Sequence, residues 1–262
     1  MILRSLIKFI MKLSVSMNNP NLVTKLTHTV KSFECGPNSE LRINNLLLLF
    51  QEAAYISAEN LGFGYHSLQE KNMTWVLASV KIHSIKFPKW TEPINISTWP
   101  SGHNRLLGFR EFLVTDKNDE HLISATSEWL AIDLNSRKPI NINDFKIELP
   151  DYGVKALDER LNRLNPKRFG EGKEIFEVNV PYSSIDENGH VNNAEYVKWS
   201  FDGLRQANLE IEGISTLQIS FISEVFEKET CKIFFKEDED GSKLLWGVNT
   251  KNNDYVFAIK LG

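Results

Sequence analysis

Hydrophobic and polar residues alternate through "THTVKSF" (27–33), the period of two expected of a half-buried strand. The pattern then changes. Residues 43–61, "INNLLLLFQEAAYISAENL", carry apolar groups almost all round, which predicts a helix enclosed by other structure and capped by Asn44 or Asn45. From Thr74 to Leu134 four strand-like runs follow, "TWVLASVKIHSIKF", "PINISTWPSG", "LLGFREFLVTD" and "HLISATSEWLAID", with "SGHN" and "KND" as turn signals. Residues 135–172 are polar, contain Pro and Gly, and read as a linker with a short helix expected at 155–163.

The order then repeats. A strand "IFEVNV" (175–180) leads through a polar stretch into a helix over 192–207 and strands near 215–226, 230–237, 243–250 and 254–260. Setting "LRINNLLLLF" (41–50) under "GHVNNAEYVK" (189–198) matches Ile43-Asn44-Asn45 to Val191-Asn192-Asn193 at an offset of 148 residues, each at a helix start. Periodicity alone supports an α+β duplication. The order of helix and strands adds that each half is an antiparallel sheet wrapped around a central helix, the hotdog arrangement, so that the whole is a tandem double hotdog. The expected divisions are an N-terminal extension (1–22), a first hotdog (23–150), a linker (151–172) and a second hotdog (173–262).

Composition narrows the function classes. With 262 residues, 42% of them hydrophobic, the chain can bury a sizeable core and is not a disordered polymer. A net charge of −4 gives no global basic field for nucleic acid or an anionic membrane. Cys35 and Cys231 form neither a C-x-x-C pair nor a disulfide framework, which fits a reducing cytoplasm. In "MILRSLIKFIMKLSVSMNNP" (1–20), Arg4, Lys8 and Lys12 break any clean apolar signal region. That stretch reads as a short amphipathic extension, or as an over-long gene start with Met17 the real one, in preference to a targeting segment. Walker, nucleophile-elbow and dinucleotide-binding motifs are absent, and no His and Cys stand at metal-ligand spacing. No metal or cofactor is therefore expected.

The chemistry concentrates in "IDENGHVNNAEYVKW" (185–199). Turn formation explains part of it: Asp186 and Asn188 suit a turn, Gly189 a strained backbone angle, and Asn192 or Asn193 a helix cap. It does not explain His190, placed at the start of a buried helix with an acid four residues before it. An imidazole there meets the positive end of the backbone dipole, a setting that suits a proton acceptor. Adjoining backbone N–H groups and the Asn188 amide could donate to a developing oxyanion. At the offset of 148, Asp186, Asn188 and His190 face Asn38, Glu40 and Arg42, so only the second copy holds the acid–amide–imidazole set. From the residues alone a capped turn and a catalytic site are equally supported.

The stretch "DENGHVNNAEYVKW" is similar to the D-x-N-x-H-V-N-N-x-x-Y-x-x-W signature of the acyl-(acyl-carrier-protein) thioesterases, bacterial relatives of the plant plastid enzymes. "WVLASVKIHSIKFPKWTEPINISTWPSG" (75–102) and "SATSEWLAIDLNSRKPINI" (124–142) also resemble that family's first domain. The resemblance implies hydrolysis of fatty acyl thioesters, with Asp186, Asn188 and His190 catalytic in the second half and the acyl-chain pocket in the first. It implies a fourth member, Glu224, on the strand "LQISFISEV" (217–225), and a cysteine beside it where this chain has Val225. With no cysteine there, the expected route is general-base hydrolysis: Glu224, with His190, activates water, Asp186 orients His190 or the water, and Asn188 with backbone amides at the helix start holds the oxyanion.

The implied partner is an acyl carrier protein bearing a phosphopantetheine-linked acyl chain, without nucleic acid or membrane; a homodimer is compatible. Because such a carrier is acidic, Arg137-Lys138, Lys167-Arg168 and Lys198 are candidate docking sites. Trp75, Leu77, Leu46 to Phe50 and Tyr55 could line the channel or simply pack. The alternatives are an acyl-CoA thioesterase and a non-catalytic acyl-thioester sensor.

Overall fold

In the computed structural model, residues 20–144, 148–158 and 161–262 are described; the extension expected over 1–22 lies almost wholly outside them. Ten strands form one antiparallel sheet: β1 (Thr24–Thr29), β2 (Met73–Ser84), β3 (Pro93–His103), β4 (Leu107–Asp116), β5 (His121–Asp133), β6 (Lys173–Asn179), β7 (Thr216–Phe221), β8 (Thr230–Glu237), β9 (Lys243–Asn249) and β10 (Tyr255–Leu261). Their order is β1-β3-β4-β5-β2-β7-β10-β9-β8-β6. The second half mirrors the first, and β2 and β7 join them. This is the double hotdog expected from the sequence.

Alternation decides which face is covered. On one face Val80, Ile82, Ile94, Ile96, Phe112 and Ile123 of the first half meet helix α1 (Ile43–Asn60), followed by the short α2 (Tyr65–Gln69). Leu217, Ile219, Ile233, Leu245, Phe257 and Ile259 of the second half share one continuous core with α3 (Asn193–Gln206). At the β2–β7 seam Ser79 pairs with Ser220, their hydroxyls 3.0 Å apart. Helix α1 is less enclosed than its composition suggests, since Leu48 and Tyr55 are exposed. The first strand also differs from expectation: it runs Thr24–Thr29, and Ser32–Glu34 form a 3-10 turn.

The repeat has a different register from the one that the Asn-Asn match suggests. The 3-10 turns Ser32–Glu34 and Tyr182–Ser184, and the helix starts Ile43 and Asn193, are all related by 150 residues. The loops confirm it, with Gly36 N–H donating to Glu40 O and Asp186 N–H to His190 O, both at 2.8 Å. Asp186, Asn188 and His190 therefore stand opposite Gly36, Asn38 and Glu40. Asn44 and Asn45 lie inside the first turn of α1, whose N-cap is Arg42 with no side-chain cap bond. Asn45 donates back to Glu34 O instead (2.8 Å). In α3 the cap is Asn192, whose Oδ1 accepts from Ala194 N–H at 2.9 Å.

The connecting segment crosses the sheet's other face and packs there. Val154 and Ala156 are buried against Trp99, whose indole donates to Val154 O (2.8 Å). Glu111, 1% exposed, accepts from Ser101 Oγ (2.7 Å), Thr126 Oγ1 (3.2 Å) and Ala156 N–H (3.0 Å). Burial pushes its carboxyl up, and these three bonds oppose the shift. Further along, Leu164 N–H reaches Ser220 Oγ (3.0 Å), and Phe169 meets Trp246 edge-on. The short helix expected over 155–163 is not formed by the described residues there, and 159–160 lie outside them.

Candidate active site

Two pieces of backbone meet at the site, and the first is the loop before α3. Gly189 sits at φ +81°, a conformation L side chains rarely adopt. Asp186 Oδ1 accepts from the N–H of Asn188 (2.8 Å) and, more weakly, of His190 (3.4 Å). Its carboxylate thus organises the loop backbone, and no hydrogen bond from it to the imidazole is found; of the two expected targets, His190 and the water, it reaches His190 through the backbone N–H. His190 is set two residues ahead of the Asn192 cap, with its ring edge-on to Phe226 at 5.1 Å.

The second piece carries Glu224. It is not on a strand as expected: β7 ends at Phe221, and Glu224 lies in the loop beyond. That loop is tied down at Val225, whose carbonyl accepts from Val191 N–H (3.0 Å). Tyr196, on the first turns of α3, is buried between Trp199 and Phe257. Burial raises its hydroxyl far above the ordinary tyrosine range, so it stays a neutral phenol. The sequence shows Tyr196 only as one letter of a motif; its place against Trp199 and Phe257, on the same cavity as Glu224, appears once α3 and the loop are brought together.

The two pieces meet at the acid and the imidazole: Glu224 Oε2 lies 3.3 Å from His190 Nε2. The imidazole is largely shielded and the carboxylate about half open, at 18% and 40% side-chain exposure. Glu224 Oε1 bonds Arg137 Nη2, from the turn after β5 in the first half. Arg137 is therefore engaged at the site, whereas the sequence suggested a docking patch. Lys198, another docking candidate, pairs with Glu195 at 3.2 Å.

Asp186, Asn188, His190 and Glu224 all line one cavity of about 1020 Å³. Its remaining wall comes chiefly from the first half, where Leu47, Phe50, Tyr55, Trp75 and Leu77 face it, while Leu46 is fully buried in the core. Phe50 and Phe112 stack at 4.4 Å along this wall. Arg110, 5% exposed, also lines the cavity and donates to Thr98 Oγ1 (3.2 Å); burial pushes its guanidinium down to about 10. Most backbone N–H groups near the helix start are already committed: those of 188 to 190, of Asn192, of Ala194 and of Glu195 bond within the loop and cap, and that of Val191 donates to Val225 O. That narrows the expected oxyanion donors to the Asn188 side chain and the N–H of Asn193, at the first helical position.

Neither cysteine lines the cavity. Cys231 is fully buried, and burial pushes its thiol up to about 12. Val225, where the resemblance expects a cysteine, is itself buried in the core. Among the described residues no three His, Cys, Asp or Glu side chains gather as a metal ligand set, and no helix is long and apolar enough to cross a membrane.

Comparison with known proteins gives a consistent result. The family model for the acyl-ACP thioesterase N-terminal domain matches residues 21–148, and that for the C-terminal domain matches 170–259. A chloroplastic acyl-(acyl-carrier-protein) hydrolase of Cuphea viscosissima is 26% identical over 207 residues, 74% of this chain and 50% of the relative. A chloroplastic oleoyl-acyl carrier protein thioesterase of Arabidopsis thaliana is 22% identical over 222 residues, 79% of this chain and 61% of the relative. The chain thus spans about half to three-fifths of the length of these relatives. The solved structure of an acyl-ACP thioesterase from Bacteroides thetaiotaomicron superposes with a TM-score of 0.76 at 24% identity, over 92% of this chain and 97% of that one. The 12:0-ACP thioesterase from Umbellularia californica superposes with a TM-score of 0.74 at 21% identity, over 92% and 96%. At these identities the two structures speak to the fold, which is shared over 92% of this chain.

Proposed function

The chain belongs to the acyl-ACP thioesterase family, and on that premise we propose that it hydrolyses the thioester of a fatty acyl chain carried on acyl carrier protein (ACP), releasing free fatty acid. The observation that supports this most is the 3.3 Å approach of Glu224 to His190 on the wall of a cavity whose other walls are aromatic and aliphatic.

The acyl chain lies in the cavity, out of water, and its thioester carbonyl stops beside the polar group. Glu224 takes a proton from water, which attacks the carbonyl carbon. His190, against the same carboxylate, holds that water or the Glu224 proton. The oxyanion is held by the Asn188 amide and the Asn193 N–H, a kind of stabilisation worth about 3–4 kcal/mol of barrier. The intermediate collapses with cleavage of the C–S bond; the sulfur leaves as the thiol after receiving the proton. Asp186 acts one step back, keeping Asn188 and His190 in place through their backbone.

An acyl-CoA substrate ends in the same phosphopantetheine arm and remains the second reading. A panel of acyl chains on ACP and on CoA, run with the native protein and His190→Ala, tests both. Turnover on ACP thioesters that His190→Ala abolishes supports the proposal. Preference for CoA thioesters transfers the activity to that carrier, and equal, background rates for native and variant protein would leave only acyl binding.

A further inference from the structure

We propose that Arg137 is a positioning residue for this reaction: contributed by the first half, it holds Glu224 Oε1 so that Oε2 stays turned toward His190 in the second. This deepens the reading of Glu224 as the base and rests on it.

A glutamate in a loop, with a side chain 40% exposed, has three rotatable bonds and no strand neighbour to hold it. The Val191 N–H fixes the backbone at Val225, which settles where the neighbouring Glu224 side chain starts and not where its oxygens end. The two oxygens have different partners, Arg137 Nη2 on one and His190 Nε2 on the other. A cation at one oxygen therefore selects the rotamer that presents the other, as charge-assisted bonds from a guanidinium do with good directional control.

The turn that carries Arg137 is built to present it. Asp133, the last residue of β5, accepts from Ser136 N–H at its carboxylate (2.7 Å) and from Arg137 N–H at its carbonyl (2.9 Å). Its own N–H donates to Lys138 O (3.0 Å), which closes the turn. Arg137 itself sits at φ +55°, in the left-handed region that favours glycine. An arginine there puts its side chain over the cavity wall shared with Glu224.

The competing role for an exposed arginine at a cavity mouth is to bind the carrier or the phosphate of its arm. The experiment separates them by using a short-chain acyl thioester of N-acetylcysteamine, which has neither phosphate nor protein, alongside acyl-ACP. Arg137→Gln should lower kcat about tenfold or more on both substrates, the scale of a misplaced reacting group. KM for the small thioester should stay within about twofold. Arg137→Lys should restore part of the rate.

A raised KM on acyl-ACP alone, with kcat on both substrates unchanged, would overturn the proposal in favour of docking. Glu224→Gln, measured in parallel, keeps the two ideas apart. If it turns over like native protein, Glu224 is not the base and the underlying reading falls. If it is inactive while Arg137→Gln matches native protein on both substrates, only the positioning role falls.

Discussion

The loop entering α1 and the loop entering α3 share one backbone and carry different chemistry. Both open from a 3-10 turn, both close with the same 2.8 Å hydrogen bond, and both pass through a residue at positive φ, Ser39 at 64° and Gly189 at 81°. Only the side chains diverge. In the first loop the amide of Asn38 is tied to Glu40 at 2.6 Å, on the surface. In the second, Asn188 stands on the cavity wall and His190 replaces Glu40. The loop is thus a way of starting a buried helix, and a few differing residues in one copy place an amide and an imidazole on the cavity wall. The other copy's contribution is the cavity wall and Arg137.

That division of labour can be broken most directly at the acid and imidazole. Glu224→Gln or His190→Ala should lower kcat/KM on acyl-ACP by roughly a hundredfold or more, the scale of a lost general base. Glu40→Gln, the counterpart of His190 in the first loop, should leave the rate at the native level. An equal loss from Glu40→Gln would mean that the first loop takes part.

Asp186 sharpens the comparison, since Gly36 holds its place in the first copy. Asp186→Asn keeps an Oδ1 that accepts from the loop N–H groups and should retain activity within about tenfold. Asp186→Ala should lose substantially more, with faster amide exchange at Asn188 and His190. If the asparagine variant is as inactive as the alanine one, the charge of Asp186 matters to the chemistry itself.

Gly189→Ser copies what the first loop already has at Ser39. No atom lies within 4 Å of a Cβ built at Gly189, so the cost is the left-handed backbone alone, about 1 kcal/mol by denaturant unfolding. A much larger loss would show that the two loops are less alike than their hydrogen bonds suggest. The smallest effect is expected at Cys231. With its thiol up at about 12, no thiolate is present near neutral pH, so iodoacetamide should leave turnover unchanged and Cys231→Ser should remain active. Inhibition by the reagent would revive a cysteine mechanism.

Much of the fold was legible because it rests on local periodicity. The four long strands of the first half and the helix of each half appear in the hydropathy pattern close to their observed positions. The repeat register was not, because the Asn-Asn match pairs a helix cap with residues inside a first turn, two positions away in structural terms. Asp186, Asn188 and His190 could be found together because they are neighbours in the chain. Glu224 followed only from a family resemblance, and the strand it was placed on ends before it. Arg137 stands 87 residues from Glu224, with no local signal that a turn between strands would reach the other half of the molecule. The connecting segment was polar enough to pass for a spacer, yet Trp99 and Glu111 hold it by single atoms that composition does not register.

The seam between β2 and β7 has a consequence for how this protein can come apart. Each half, standing alone, would end in a bare edge strand, β2 of twelve residues or β7 of six, whose unpaired amides and carbonyls invite aggregation. Protease nicking between the halves should therefore give a two-fragment molecule that still migrates as one under native conditions, and either fragment expressed by itself should be insoluble.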